Sequence, residues 1–296
     1  MMVNFMGEPV LNFSDTTVNS QGIKQVVKDR YGKCAETTSG ESCCCAGEAT
    51  ASLSFAAEHG LYSQEELSQI PELVLSQSKG CGNPTGFANL KPGEVVVDFG
   101  CGAGIDVILA ERKVGRSGKV FGVDFTPQMI DRVKQAVAEA GLTDTVKLVV
   151  GDIEALDLPD GFADVVISNC VINLCPDKEA VYREAFRILK PGGRMAISDI
   201  VYSEKVNPEV HDRFRSTWAG CVGGSIDQES YFKIVRDTGF TQLEIVARHP
   251  LALKELDEMA CCPGPEFTPA PAEKDLAVVR EKVVSVKFKA VKPQHS

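Results

Sequence analysis

Positive charge is in short supply. The chain has 31 lysines and arginines against 41 aspartates and glutamates, a formal net charge of −10, which repels a phosphate backbone and argues against a nucleic-acid partner. Histidine is scarcer still at four residues. None of His59, His211, His249 and His295 falls in a recognisable motif, so imidazole general-base chemistry has no evident residue. No run approaches the roughly 20 apolar residues that span a bilayer. The N-terminal stretch MMVNFMGEPVLNFSD has few basic residues and no continuous apolar segment, unlike a signal or transit peptide. A cytoplasmic chain with no membrane attachment is expected. Its eleven cysteines then serve as ligands, redox groups or small buried apolar residues more readily than as permanent disulfides. Neither Cys43-Cys44-Cys45 nor Cys261-Cys262 has the CxxC spacing of structural zinc sites.

With 296 residues and 44% hydrophobic content, the chain can bury a full core around one main domain with appended segments. Residues 22–33 and 63–76 have helical character. Between them the Gly/Ser/Thr/Ala-rich stretch AETTSGESCCCAGEATAS reads as a loop. From residue 94, short apolar runs alternate with helix-period segments. Strands are expected at 94–98, 119–124, 146–150, 163–168 and 194–200, with helices near 105–113, 127–140 and 178–189. Thr126-Pro127 suits a helix start, Gly141 a helix end, and Lys190-Pro191-Gly192-Gly193 a stop. That alternation predicts an α/β doubly wound sheet. Beyond residue 200, Asn207-Pro208 opens a helix running toward Trp218, a residue expected in the core. Asp227 caps another helix, and strand-like segments follow at 242–246 and 283–291. No internal repeat is present.

The segment Asp98-Phe-Gly100-Cys-Gly102-Ala-Gly104 follows an apolar strand and leads into a helix. Its glycines let the backbone turn tightly and approach a ligand. The spacing is GxGxG, and Ile105 stands where the dinucleotide fingerprint GxGxxG requires glycine. Asp98 would repel a pyrophosphate but suits the cationic methionine portion of S-adenosylmethionine. Asp124, closing the second strand, is placed to accept hydrogen bonds from two ribose hydroxyls. Asp152 and Ile153, after the third strand, offer one polar and one apolar contact to adenine.

Cys81, Cys170 and Cys221 each lie in a glycine- or asparagine-rich segment, GCGNP, SNCVIN and AGCVGG. Thiolate is the natural ligand of a soft, thiophilic element, and Asn83 and Asn169 stand beside two of these cysteines as candidate hydrogen-bond donors to sulfur. Cys101 and Cys175 read as small buried apolar residues. Cys34 has no assigned role. Cys261-Cys262 is a capture pair for a thiophilic element or an exposed tail pair.

From about residue 31 to 246 the sequence resembles the arsenite S-adenosylmethionine methyltransferase family, in GCGNP (80–84), DFGCGAG (98–104), GVDFTPQM (122–129), GDIEAL (151–156), SNCVINLCPDK (168–178), EAFRILKPGG (184–193) and WAGCVGG (218–224). The resemblance implies a seven-strand, Rossmann-like class I methyltransferase sheet at 77–203. A cysteine-bearing helical and loop region at 1–76 and an α+β substrate-side region at 204–296 would flank it. It implies methylation of trivalent arsenic held by Cys81, Cys170 and Cys221, with Phe125, Met129 and Asn169 added to the cofactor site. A redox cysteine from 43–45, assigned to Cys44 without excluding its neighbours, would be reset by a thioredoxin- or glutathione-type thiol. Arsenite or its thiol conjugates would be the substrate of a monomeric protein. Two other readings stand beside this one: a methyltransferase for a carbon, oxygen or nitrogen acceptor, and a non-enzymatic thiol protein that binds metalloids or zinc.

Overall fold

The computed structural model describes residues 20–36, 61–75, 80–213, 221–251, 277, 279 and 281–294. Cys43, Cys44, Cys45, Trp218, Cys261 and Cys262 lie outside them. The chain opens with helix α1 (Ser20–Glu36), followed by two one-turn helices, α2 (Gln64–Leu67) and α3 (Glu72–Leu75). The single helix expected over 63–76 is therefore two. Pro71 lacks an N–H and excludes helical geometry from the residue before it. A capping box starts α2: Ser63 Oγ accepts from Glu66 N at 3.2 Å, and Glu66 Oε2 accepts from Ser63 N at 3.0 Å, a device worth about 1 kcal/mol. A third short helix, α4 (Pro84–Phe87), is capped by Asn83, whose Oδ1 accepts from Gly86 N at 2.9 Å.

The sheet begins at β1 (Val95–Phe99) and continues through α5 (Ile105–Val114), β2 (Lys119–Asp124), α6 (Pro127–Glu139), β3 (Val146–Val150), β4 (Ala163–Asn169), α7 (Lys178–Ile188) and β5 (Leu189–Tyr202). Helices α8 (Pro208–Arg213) and α9 (Gln228–Asp237) precede an antiparallel pair, β6 (Thr241–Pro250) and β7 (Val283–Val291). All five strands expected at 94–200 and both later ones are present. Strand β5 starts earlier than expected because Leu189 pairs with Ala163 before the Lys190–Gly193 turn breaks the register to Val165–Arg194. Thr126 does precede α6 but makes no side-chain cap bond. Asp227 does cap α9, accepting from Ser230 N at 3.0 Å.

Seven strands run in the order β3-β2-β1-β4-β5-β7-β6. The first five are parallel, and β7 enters antiparallel between β5 and β6. The C-terminal region thus completes the same sheet as the first five strands. Val96, Val97, Val165, Val166 and Ile167 are fully buried, as a sheet covered on both faces requires. One core packs α5, α6 and the α2–α3 segment against one face; the other packs α7 and α9 against the opposite face. A third cluster gathers Cys81, Cys170, Cys221, Leu174, Tyr202 and Val283 with α1 residues Ile23 and Val27. It lies where β4 and β5 end, the crevice in which doubly wound sheets carry ligands.

Candidate functional site

The glycine loop leaves β1 through Gly100, Gly102 and Gly104, at φ +71°, +48° and +96°, a backbone path that residues with a Cβ rarely take. A Cβ on Gly100 would stand 2.3 Å from Val171 Cγ2. The loop therefore packs directly on the residue after Cys170. Asp124 holds the loop from the tip of β2: its Oδ2 accepts from Gly102 N at 3.1 Å and its Oδ1 from Thr126 N at 2.9 Å. Asp98 is buried beneath it. Burial, then Asp106 and Asp124, push the Asp98 carboxyl well above the usual range. Asp106 at the start of α5 is pushed up to about 6 by burial, against hydrogen bonds from Asn169 and Tyr62 that pull the other way. Three buried carboxylates around one glycine loop form a site that a cation would relieve. That is the environment a sulfonium and an amino group fit, and a pyrophosphate does not.

Along the same crevice Met129 and Ile153 are buried. Asp152 Oδ1 accepts from Glu154 N at 2.9 Å, while Lys24 of α1 reaches Asp152 Oδ2 at 2.6 Å and Glu154 Oε2 at 2.5 Å. Burial lowers the Lys24 pKa, but the two carboxylates outweigh it and hold the ammonium charged. Between α1 and Phe125 lies a cavity of 510 Å³, which Gln21 and Lys28 also line.

The three singled-out cysteines meet. Cys81, Cys170 and Cys221 are all buried and share one cluster. Cys221 Sγ–H donates to the Cys170 carbonyl at 3.1 Å, and Cys170 N donates to Ser198 O at 2.8 Å. Hydrogen bonds with Cys221 and Cys81, followed by burial, push the Cys170 thiol well above its ordinary range. The thiols are gathered rather than converged on one point: no group of three His, Cys, Asp or Glu among the described residues is set to hold a metal ion. Cys170 and Cys221 adopt φ +60° and +70°, two of only four non-glycine residues described with positive φ. Each such residue costs on the order of 1–2 kcal/mol.

Among the described residues neither Asn83 nor Asn169 is hydrogen-bonded to a cysteine sulfur. Cys81 Sγ faces Ser198 Oγ at 3.7 Å, and Ser285 Oγ donates to Cys81 O at 2.9 Å. Asn83 caps α4. Asn169, expected at the cofactor, joins the Cys81 loop to a carboxylate of the glycine-loop group: its Nδ2 donates to Gly82 O at 2.7 Å and Asp106 Oδ2 at 2.9 Å, and its Oδ1 accepts from Gly82 N at 3.2 Å. The reason is reach, since the amide at the end of β4 faces the loop beside it. Tyr62 completes this hub, donating to Asp106 Oδ1 at 3.0 Å and accepting from Asn169 at 3.1 Å.

Tyr31 of α1 is half-buried against the cluster of Cys170 and Cys221; desolvation first, then Cys221, raise its phenol pKa. One helix thus touches both halves of the site. Cys34 itself is half-buried, and its carbonyl accepts from Arg132 Nη1 at 3.3 Å. Cys101 and Cys175 are buried thiols whose pKa values burial raises, which agrees with an apolar role. Sequence reasoning missed Asp106, Tyr62, Ser198 and Tyr31. For Asp106 a signal existed, an acid at the helix start directly after the glycine loop; the others depend on distant partners, Asp106 for Tyr62 across 44 residues, Cys81 for Ser198 across 117 and Cys221 for Tyr31 across 190.

Comparison with known proteins follows this geometry. Residues 90–239 match the family model described as a methyltransferase domain. The chain is 36% identical, over 76% of its length, to an arsenite methyltransferase of Halobacterium salinarum, of which the match covers 59%. It is 31% identical, over 66% of its length, to the arsenite methyltransferase of Homo sapiens, of which 54% is covered. The chain therefore spans about three-fifths of the curated relatives it matches. An arsenic(III) S-adenosylmethionine methyltransferase structure from Chlamydomonas reinhardtii superposes with a TM-score of 0.65 at 29% identity, covering 78% of this chain and 74% of that one. No helix among the described residues is long and apolar enough to cross a membrane. The resemblance to arsenite methyltransferases is borne out by these relatives, and with half its length inside the domain match the chain belongs to the methyltransferase-domain family.

Proposed function

We propose that the protein transfers methyl groups from S-adenosylmethionine to trivalent arsenic held by Cys81, Cys170 and Cys221, a detoxifying reaction. The observation that carries this reading is the meeting of three buried thiols, two of them on strained backbone, against the back of the glycine loop. Asp98, Gly100, Gly102 and Gly104 cradle the methionine portion of the cofactor, Asp124 its ribose, Asp152 and Ile153 its adenine, with Phe125 and Met129 along the apolar wall. When bound, the cofactor supplies an electrophilic methyl group and departs as a neutral thioether.

The residues of the chain position and exclude water. Arsenite arrives as a trihydroxide, so three neutral thiols can each release water on forming an As–S bond and no base is needed. The raised Cys170 pKa is therefore compatible with binding. Three sulfurs leave the arsenic lone pair directed away from them, toward the neighbouring loop, and holding the partners in line supplies most of the rate. Methylation raises arsenic by two in oxidation state. A cysteine pair closing to a disulfide returns the two electrons, with Cys44 the candidate participant and a thioredoxin- or glutathione-type thiol as the outside reductant. The six free cysteines described suit a reducing cytoplasm.

The test is product speciation after incubating purified protein with arsenite, a thiol reductant and S-adenosylmethionine, beside Cys81→Ser, Cys170→Ser and Cys221→Ser. Methylated arsenic from the parent, lost with Cys170→Ser or Cys221→Ser while cofactor binding persists, is the expected result. A parent that binds cofactor with thiols intact yet yields no methylated arsenic sinks the proposal and turns attention to carbon, nitrogen and oxygen acceptors. A parent that binds arsenic but no cofactor points to a sequestering protein.

A further inference from the structure

Three residues after Cys170, Asn173 is wholly buried in a 3-10 turn, Ile172–Leu174. Its Nδ2, whose two hydrogens are shared among three acceptors, lies 2.9 Å from Asp199 Oδ1, 2.5 Å from Ile200 O and 3.2 Å from Ser225 Oγ. Asp199 is fixed in turn by Ile200 N at 2.9 Å and by Tyr231 Oη–H at 2.8 Å, and Tyr182 donates to Tyr231 at 2.8 Å. The amide is thus tied to β5 and, through Tyr231, to α9, both parts of the rigid core. Ser225, also fully buried, passes the connection on: its Oγ donates to the Cys221 carbonyl at 2.9 Å. His211 Nε2 contacts the Ser225 carbonyl at 3.0 Å.

The Asn173 Oδ1 has no hydrogen-bond partner and is buried. An unpaired buried acceptor is unfavourable, and leucine would fill the same space without it. Packing therefore does not account for an asparagine here; its donors do. They reach the loop of Cys221, the residue held at φ +70°. The arrangement mirrors the other side of Cys170, where Asn169 clamps the loop of Cys81.

We propose that Asn173 and Ser225 are positioning residues that fix the distance between the Cys170 and Cys221 thiols, so that a third sulfur can close on arsenic. Neither touches sulfur; Asn173 sets the Cys170 turn against β5, and Ser225 hangs the Cys221 backbone from it. The inference rests on the arsenic reading above. Without the latch, the Cys221 loop drifts, and arsenic stays bound by Cys81 and Cys170 with its third ligand drawn from solvent.

The experiment uses the full chain and counts arsenic–sulfur bonds by X-ray absorption at the arsenic edge, beside arsenite titration, S-adenosylmethionine affinity and thermal unfolding. Asn173→Leu removes the amide but also its bonds to Asp199 and Ile200, so Ser225→Ala, which leaves those intact, decides the outcome. Expected for Ser225→Ala are loss of one sulfur from the arsenic shell and arsenite binding about tenfold weaker, with cofactor affinity unchanged. A merely structural role would lower the melting temperature and leave the sulfur count alone. Ser225→Ala retaining the full shell and parental arsenite affinity overturns the inference while leaving the arsenic reading intact. A parent that shows no arsenic–sulfur bonds overturns the arsenic reading, and the latch falls with it.

Discussion

Gly82→Ala should detach Cys81 from the site with little effect on the rest of the protein. A Cβ at Gly82 would stand 2.0 Å from Ser198 Oγ, 2.7 Å from Ser198 Cβ and 3.1 Å from Lys287 Cε. Rotating the serine hydroxyl away relieves only the first contact. The Ser198 Cβ cannot retreat, because β5 is held between β4 and β7, where Ser198 pairs with Asn169 and Lys287. The loop must therefore lift. Keeping it seated would cost ~1–3 kcal/mol of overpacking. Lifting it breaks the two Asn169–Gly82 bonds at 2.7 and 3.2 Å and the Ser285–Cys81 bond at 2.9 Å, each worth ~0.5–1.5 kcal/mol. The first route costs ~1–3 kcal/mol and the second ~1.5–4.5 kcal/mol, so both ranges include ~2 kcal/mol. If the loop lifts, arsenite affinity falls about thirtyfold or more, whereas the melting temperature drops by only a few degrees because the sheet is untouched. Arsenite titration followed by thiolate-to-arsenic absorbance, with S-adenosylmethionine binding as a control, measures this. Gly161→Ala, at φ +60° and with nothing within 4 Å of the added Cβ, should leave arsenite binding unchanged. Adding Ser198→Gly to Gly82→Ala removes both close atoms and should recover part of the loss, a coupling that a double-mutant cycle reads directly. Parental affinity in Gly82→Ala, or no coupling in the cycle, would refute the reasoning.

Two further outcomes follow from buried or bridged charge. Burial pushes Asp199 up to about 6, against about 3.9 unfolded, so between pH 4 and 6 the folded state keeps a proton the unfolded chain has released, and stability falls as pH rises through that window. Asp199→Asn should flatten the fall without abolishing it, since Asp106 behaves alike; melting temperatures from pH 4 to 7 check this, and an unaltered slope contradicts it. Lys24→Met should quicken S-adenosylmethionine association several-fold at low salt, because it frees Asp152 and removes a positive charge from the approach of a cationic ligand. Stopped-flow binding at two ionic strengths measures the effect, and equal rates in parent and variant would count against a role for Asp152 at the cofactor.

Much of this was legible from local pattern. The alternation of strand and helix, the glycine loop, the Asp227 cap and the Gly141 stop all act within a few residues, and each stands where expected. The Pro71 break was equally local and outweighs the helical composition of 63–76. What the sequence hid is long-range. Ser198 was one residue in an apolar strand, yet it faces Cys81, 117 residues earlier. Asn173 and Ser225 lie 52 residues apart and neither has a motif of its own. Asn169 pointed to the cofactor by its place in a family motif, and its bonds to Gly82, 87 residues earlier, had no local signal. The positive φ of Cys170 and Cys221 left no trace either, because cysteine carries no preference for that region.

Strand β7 lies inside the sheet although it follows β6 in the chain. As the polypeptide emerges from the ribosome, β6 appears first and finds no partner, since its only neighbour among the described strands is β7. Strand β5 likewise waits with an open edge. Cys81, made some 200 residues earlier, takes its backbone anchor from Ser285 on β7. Folding of the thiol pocket is therefore deferred until β7 has been made, and until then the nascent chain carries its cysteines apart. Under the proposed function, metalloid capture by all three thiols waits until β7 has been made.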